Sequence, residues 1–325
     1  MSDLVGDERL LIHIGYHKTG STWLQDAFFP MPGSGFVLPW VRAEVNEEFV
    51  LPNDFQFDRE RTVAFFREGL ARAGGSGLVP VLSNERLSGN PHSGGFDSKQ
   101  LADRLVSLFP GARVLAVVRE QQSAIRSAYY QYVREGGVAS IEGYLHPPEA
   151  GRYRLPLFDF DYFAYDRLIA YYQKLFGADR VLVLAYEDLA VDPRAFAAEI
   201  CRFVGLGEPD EVQTGRRNVG LSGLSVAIKR RFNALFVRDA LNVAPPLPWD
   251  GANRRLWQLC RVIDRVVPRA WTRAFDVRVR RRIAEAVEGR YAKSNRRVQS
   301  LTGLDLGRHG YDVGESPAAS SEASA

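Results

Sequence analysis

The chain has 325 residues, 46% of them hydrophobic and 25% charged, with a formal net charge of +3. That is enough to bury a sizeable core in one large α/β domain or two small ones. The charge is too small to argue for a nucleic-acid surface, Cys201 and Cys260 build no disulfide framework, and no apolar run reaches membrane-spanning length. Met1 to Arg9 is polar and acidic, unlike a signal peptide, so a soluble, cytoplasmic protein is expected.

In chain order, Leu10 to Ile14 predicts a short buried strand, and Thr22 to Phe29 a short helix ended by Pro30 and Pro32. Residues 31–60 are mixed and give no clear element. Arg61 to Ala73 carries Val63, Phe66 and Leu70 at helical spacing and is stopped by Gly74-Gly75. Leu78 to Leu82 is a second buried strand, Asn90 to Gly95 a loop, and Ser98 to Phe109 a helix closed by Pro110-Gly111. Val114 to Val118 is a third strand, followed by a helix from Gln121 to Arg134. Tyr162 to Phe176 is helical, Val181 to Ala185 is a fourth strand, and Pro193 to Val204 is another helix.

Short apolar strands alternating with helices predict a P-loop-like α/β fold, with a mostly parallel central sheet flanked by helices in three layers. Residues 221–303 are helix-rich, with Leu221 to Ala240 and Arg254 to Val267 as helices on the acceptor side. Arg278 to Arg282 reads as a solvated helix start. Residues 1–310 are expected to form a single domain, with a disordered tail over 311–325.

Ligands in such sheets bind beyond the carboxyl ends of the strands. After the first strand comes Gly15-Tyr16-His17-Lys18-Thr19-Gly20-Ser21-Thr22-Trp23. Two glycines with four residues between them let successive N–H groups converge on an anion, and the helix start adds positive potential. The P-loop lysine that normally follows the second glycine is absent, and Lys18 stands earlier instead. After the third strand, Arg119 at the strand end and Ser127 in the helix are able to reach one phosphate, a fork plus a hydroxyl suited to a monoester. In that helix Ile125, Ala128, Tyr129 and Tyr132 share the sheet-facing side, opposite Ser123, Ser127, Tyr130 and Arg134.

These motifs resemble those of sulfotransferases that use 3′-phosphoadenosine 5′-phosphosulfate (PAPS), most of all bacterial members. Tyr16 to Trp23 is similar to the 5′-phosphosulfate loop, and Val118-Arg119 through Ser127 to the 3′-phosphate element. Val181 to Leu189 with Asp192-Pro193 resembles the late strand, and Ser294-Asn295-Arg296-Arg297 with Leu304-Asp305-Leu306 the bacterial tail. The resemblance implies that Lys18 contacts the phosphosulfate and that Thr19, Gly20, Ser21 and Thr22 hold the 5′-phosphate. It implies Trp23 against the adenine, Arg119 and Ser127 on the 3′-phosphate, and Tyr186 near the adenine, while Glu187 and Asp188 shape a turn. Cytosolic members carry a late Arg-Lys-Gly element; here Arg216-Arg217-Asn218-Val219-Gly220 stands nearest, lacking the lysine, with Arg216 and Arg217 as expected contributors.

Sulfuryl transfer to a hydroxyl needs a base. Glu85, just past the second strand, is the first choice, by similarity to the glutamate of heparan-type carbohydrate sulfotransferases. His92 is the second, as in cytosolic members. His13 reads as a core residue. The expected reaction is a metal-free in-line displacement that leaves adenosine 3′,5′-bisphosphate. The acceptor is a hydroxyl-bearing carbohydrate or glycoconjugate, with a lipid or small molecule still open. Aromatic residues of 136–165 (Tyr144, Tyr153, Phe158, Phe160, Tyr162, Tyr165) either stack on a sugar or pack as a lid on themselves. Two other readings stand: a nucleotide kinase or NTPase using ATP and magnesium with Asp188 as metal ligand, and a non-catalytic nucleotide-binding protein. The oligomeric state is not legible.

Overall fold

The computed structural model describes residues 7–75, 77–147, 157–209, 211–213, 220–239 and 242–314. Five parallel strands form its sheet: β1 Leu11–His13, β2 Phe36–Val37, β3 Val79–Ser83, β4 Arg113–Val118 and β5 Val181–Ala185, in the order β2-β3-β1-β4-β5. Each strand is a nearly continuous apolar run because helices cover both faces. Alternation along β1 divides the core. Leu10, Ile12 and Ile14 face the larger cluster, while Leu11 packs into the second cluster with Trp23, Phe28 and Phe196.

Register decides what meets at the carboxyl edge. His13 lies level with Ser83 of β3, so the loops after β1 and β3 start side by side. His13 is also level with Leu115, so β4 runs three residues further before Arg119. Val118 pairs with Ala185, which places Arg119 and Tyr186 at the same height.

Four of these strands are the expected ones. β2 falls in the stretch 31–60 that gave no element, because two residues are too few to show a period. The first helix is one α turn, Ser21–Trp23, that widens into a π turn over Leu24–Phe28. The helix expected from Tyr162 divides at Ala164 into a 3₁₀ turn Phe160–Phe163 and an α-helix Tyr165–Phe176. Arg278 to Arg282 lies inside the helix Arg269–Val287, not at its start, and Arg278 and Arg282 pair with Glu142. Of the residues 311–325 expected as a disordered tail, Tyr311 is instead buried and donates to Glu187 Oε2 at 3.0 Å, and 315–325 lie outside the described residues. Among the described residues no helix is long and apolar enough to cross a membrane.

Candidate active site

The loop after β1 has the backbone of an anion cradle. Gly20 has φ 90°, and among the described residues Lys18 is the one other than glycine held at positive φ, 69°, a strained conformation that clusters at ligand sites. Gly15 admits no side chain: a Cβ there would stand 2.5 Å from His13 Nε2 and 2.9 Å from Ser21 Oγ. Thr19 is fully buried, and its hydroxyl donates to the Tyr16 carbonyl at 2.5 Å. It therefore closes the loop, leaving its backbone N–H for a ligand. Ser21 Oγ, His17 Nε2 and Arg119 Nε are buried without a partner among the described residues. Unpartnered donors and hydroxyls around a strained glycine turn fit an anionic ligand.

Arg119 meets this loop directly. Its Nη1 donates to the Lys18 carbonyl at 2.8 Å, and its guanidinium lies 4.5 Å over the Tyr186 ring. Tyr186 in turn borders Gly20, with ring carbon Cδ2 3.3 Å from where a Cβ would stand. Tyr165 donates to the Arg119 carbonyl at 2.8 Å. The structure therefore brings Lys18, Gly20, Arg119 and Tyr186 into one place. Ser127 is half-buried in the helix Gln121–Arg134, which is capped by the Glu120 carboxylate.

Four charges surround Lys18. Burial lowers its pKa, and Arg134 and Arg119 lower it further, while Glu135 and Glu85 favour the charged form. Arg134, at the far end of the helix Gln121–Arg134, was placed by its spacing on the same face as Ser127, whereas Glu135 just beyond it was not singled out in the sequence. Only the fold turns that helix end back over the loop.

Both base candidates also face this region. Glu85 opens the 3₁₀ turn Glu85–Ser88, and its Oε2 accepts from Gln25 Nε2 at 3.2 Å. Gln25 is itself fixed. Arg42 Nη1 donates to its Oε1 at 2.6 Å, and its Nε2 donates to Ser83 Oγ at 3.0 Å. Ser83 Oγ also lies 2.7 Å from His13 Nδ1. Burial pulls the His13 pKa down to about 4, partly offset by Glu85. Sequence reasoning missed Gln25 because an amide on a short helix carries no motif.

His92 Nδ1 lies 3.0 Å from the Tyr144 hydroxyl, and its Nε2 lies 4.0 Å from Glu135 Oε2. Burial lowers its pKa, with Glu135 opposing and Arg86 reinforcing, so the ring is neutral at pH 7.

Trp23 is a core residue here. It stacks on Phe28 at 5.4 Å with rings 6° apart, and its Nε1 donates to the Gln213 carbonyl at 2.9 Å. The face over Phe28 is not open to an adenine. Arg216 and Arg217 lie outside the described residues. Thr22 is half-buried beside Ser21 in the first helical turn. Glu187 accepts from the Glu120 N–H at 3.0 Å as well as from Tyr311, and so shapes the turn. Asp188 is held by Arg308 at 2.7 Å and by His309 at 3.0 Å. The tail motif has a matching function: buried Asn295 accepts from Gln121 Nε2 at 2.6 Å and anchors the start of the Arg119 helix.

The aromatic segment packs on itself, with Tyr144 and Phe158 rings 4.7 Å apart and both buried; Tyr153 lies outside the described residues. Behind Tyr16 is a cavity of about 320 Å³, lined by Phe96, Tyr162, Arg167 and Tyr171 among others. Lys18, Glu85 and Arg119 do not line it, so it is separate from the cradle.

Residues 98–210 match the family model Sulfotransfer_3, described as "Sulfotransferase family". The resemblance to sulfotransferases carried by the motifs is borne out over this segment, which holds Arg119, Ser127 and Tyr186. Among solved structures, the chain is similar to a sulfotransferase from Alicyclobacillus acidocaldarius, at 20% identity and TM-score 0.47, covering 64% of this chain and 85% of that one. It is also similar to a sulfotransferase domain from the curacin biosynthetic pathway, at 14% identity and TM-score 0.40, covering 78% and 96%. Comparison with curated proteins gives no match.

Proposed function

We propose that the chain is a sulfotransferase that takes its sulfuryl group from PAPS and delivers it to a hydroxyl, of a carbohydrate or glycoconjugate by preference. The observation that carries this reading is the bond from Arg119 to the Lys18 carbonyl, with both beside Tyr186. It joins the loop that would hold a 5′-phosphosulfate to the arginine that would hold a 3′-phosphate, so one doubly phosphorylated adenosine satisfies both.

In this reading the loop N–H groups of Thr19 to Thr22 and the Ser21 hydroxyl hold the 5′-phosphate, and Arg119 and Ser127 hold the 3′-phosphate. Arg216 and Arg217 are assigned to the 3′-phosphate by resemblance alone. The acceptor oxygen attacks sulfur in line as the bond to the phosphate oxygen breaks. Lys18 stabilises the charge growing on that phosphate. The acceptor proton passes to Glu85, which Gln25 holds in place; His92 is the alternative base.

The kinase reading would need Asp188 as a metal ligand, and here that carboxylate pairs with Arg308 and His309. Thermal unfolding separates the readings. Adenosine 3′,5′-bisphosphate without magnesium should stabilise the chain, by about 2.7 kcal/mol at a hundredfold excess over Kd. A preference for ATP with magnesium would favour the kinase. Mass spectrometry of acceptor panels with labelled donor then identifies the acceptor.

A further inference from the structure

The charge of the chain is unevenly placed. Residues 223–290 hold fifteen Lys and Arg against six Asp and Glu, while acids outnumber bases in the rest. Within this basic part, the helix Ala252–Val266 buries Ala252, Leu256 and Cys260 at every fourth position. Its outer side is not simply polar. Leu259, Val262 and Val266, spaced three and four apart, form an exposed apolar stripe, 46%, 53% and 69% accessible. Arg254, Arg261 and Arg265 form a parallel exposed stripe beside it, and none has a carboxylate partner among the described residues.

The apolar stripe continues off the helix. Arg255, on the same side as Leu259 and Val262, lies 4.8 Å over the ring of Trp249, itself 45% exposed. Two residues earlier Leu247 is exposed, and its N–H donates to the carbonyl of exposed Leu235. Apolar side chains with a tryptophan, flanked by free arginines, fit the boundary between lipid headgroups and acyl chains.

We infer that this face docks on an anionic lipid surface. A second copy of the chain would oppose like charges, and a nucleic acid would leave the apolar stripe uncovered. An anionic bilayer meets both stripes at once.

Sedimentation of the full chain with vesicles tests this. Vesicles of phosphatidylcholine with about one quarter phosphatidylglycerol should bind the protein, and pure phosphatidylcholine should not. Arg261→Gln with Arg265→Gln should weaken binding roughly 30-fold, at about fivefold per arginine. Leu259→Ser with Val262→Ser, which leaves every charge in place, should weaken it at least about tenfold. Both pairs are exposed, and an unchanged unfolding midpoint by circular dichroism confirms their folding. Failure to bind anionic vesicles, or equal binding by the Ser pair, overturns the inference. A dimer in analytical ultracentrifugation that the Ser pair abolishes, without vesicle binding, assigns the face to a second copy instead.

Discussion

Acid should destabilise this protein from inside the sheet, at His13. The ring is fully buried, its Nδ1 lies 2.7 Å from Ser83 Oγ, and its pKa is pulled down to about 4 by burial. An unfolded histidine titrates near 6.5, so between those values the unfolded chain takes a proton that the native chain refuses. The folded pKa is depressed, so this contribution is complete above about pH 6.5 and is lost as pH falls toward 4. The difference of about 2.5 units corresponds to about 3 kcal/mol. His13→Asn keeps an acceptor near Ser83 and has nothing to titrate. Urea unfolding at a series of pH values from about 7 to about 4 should show wild type losing about 3 kcal/mol more than the variant across that range. Parallel pH curves for the two proteins, or a His13 ring resonance titrating near 6.5, would refute the reasoning.

Lys18→Ala should lower turnover by two to three decades, about 3–4 kcal/mol of transition-state stabilisation, read from kcat with labelled donor. Glu85→Gln should leave adenosine 3′,5′-bisphosphate affinity intact and collapse kcat; equal losses in both would assign Glu85 to folding. Gly20→Ala should cost about 2–4 kcal/mol in denaturant unfolding, because the residue sits at φ 90° and its Cβ would meet Leu189 Cδ2 at 2.6 Å.

The sheet was legible because β3, β4 and β5 are nearly continuous apolar runs, polar only at Ser83 and Arg113, as a parallel, doubly covered strand requires. β2 was not, since Phe36–Val37 gains its identity only by pairing with β3. The loop carrying Lys18 and the strand-end Arg119 were legible from type and position. That they touch was not, because it depends on β4 running three residues past β1. Gln25 and Glu135 reach the site through contacts across the fold, which no local spacing encodes, while Arg134 was legible only as a face-mate of Ser127. Trp23 shows the opposite case: a motif position whose ring the fold directs into the core.

The central claim is that Arg119 and the Lys18 loop grip one nucleotide through its two phosphates. Calorimetry of wild type and Arg119→Gln with adenosine 3′,5′-bisphosphate and adenosine 5′-monophosphate tests it most directly. Wild type should favour the bisphosphate by about 1.5–3 kcal/mol, roughly ten- to hundredfold, as expected for a charged hydrogen bond. In Arg119→Gln that preference should shrink to within about threefold. A full preference surviving in the variant, or none in wild type, would contradict the account.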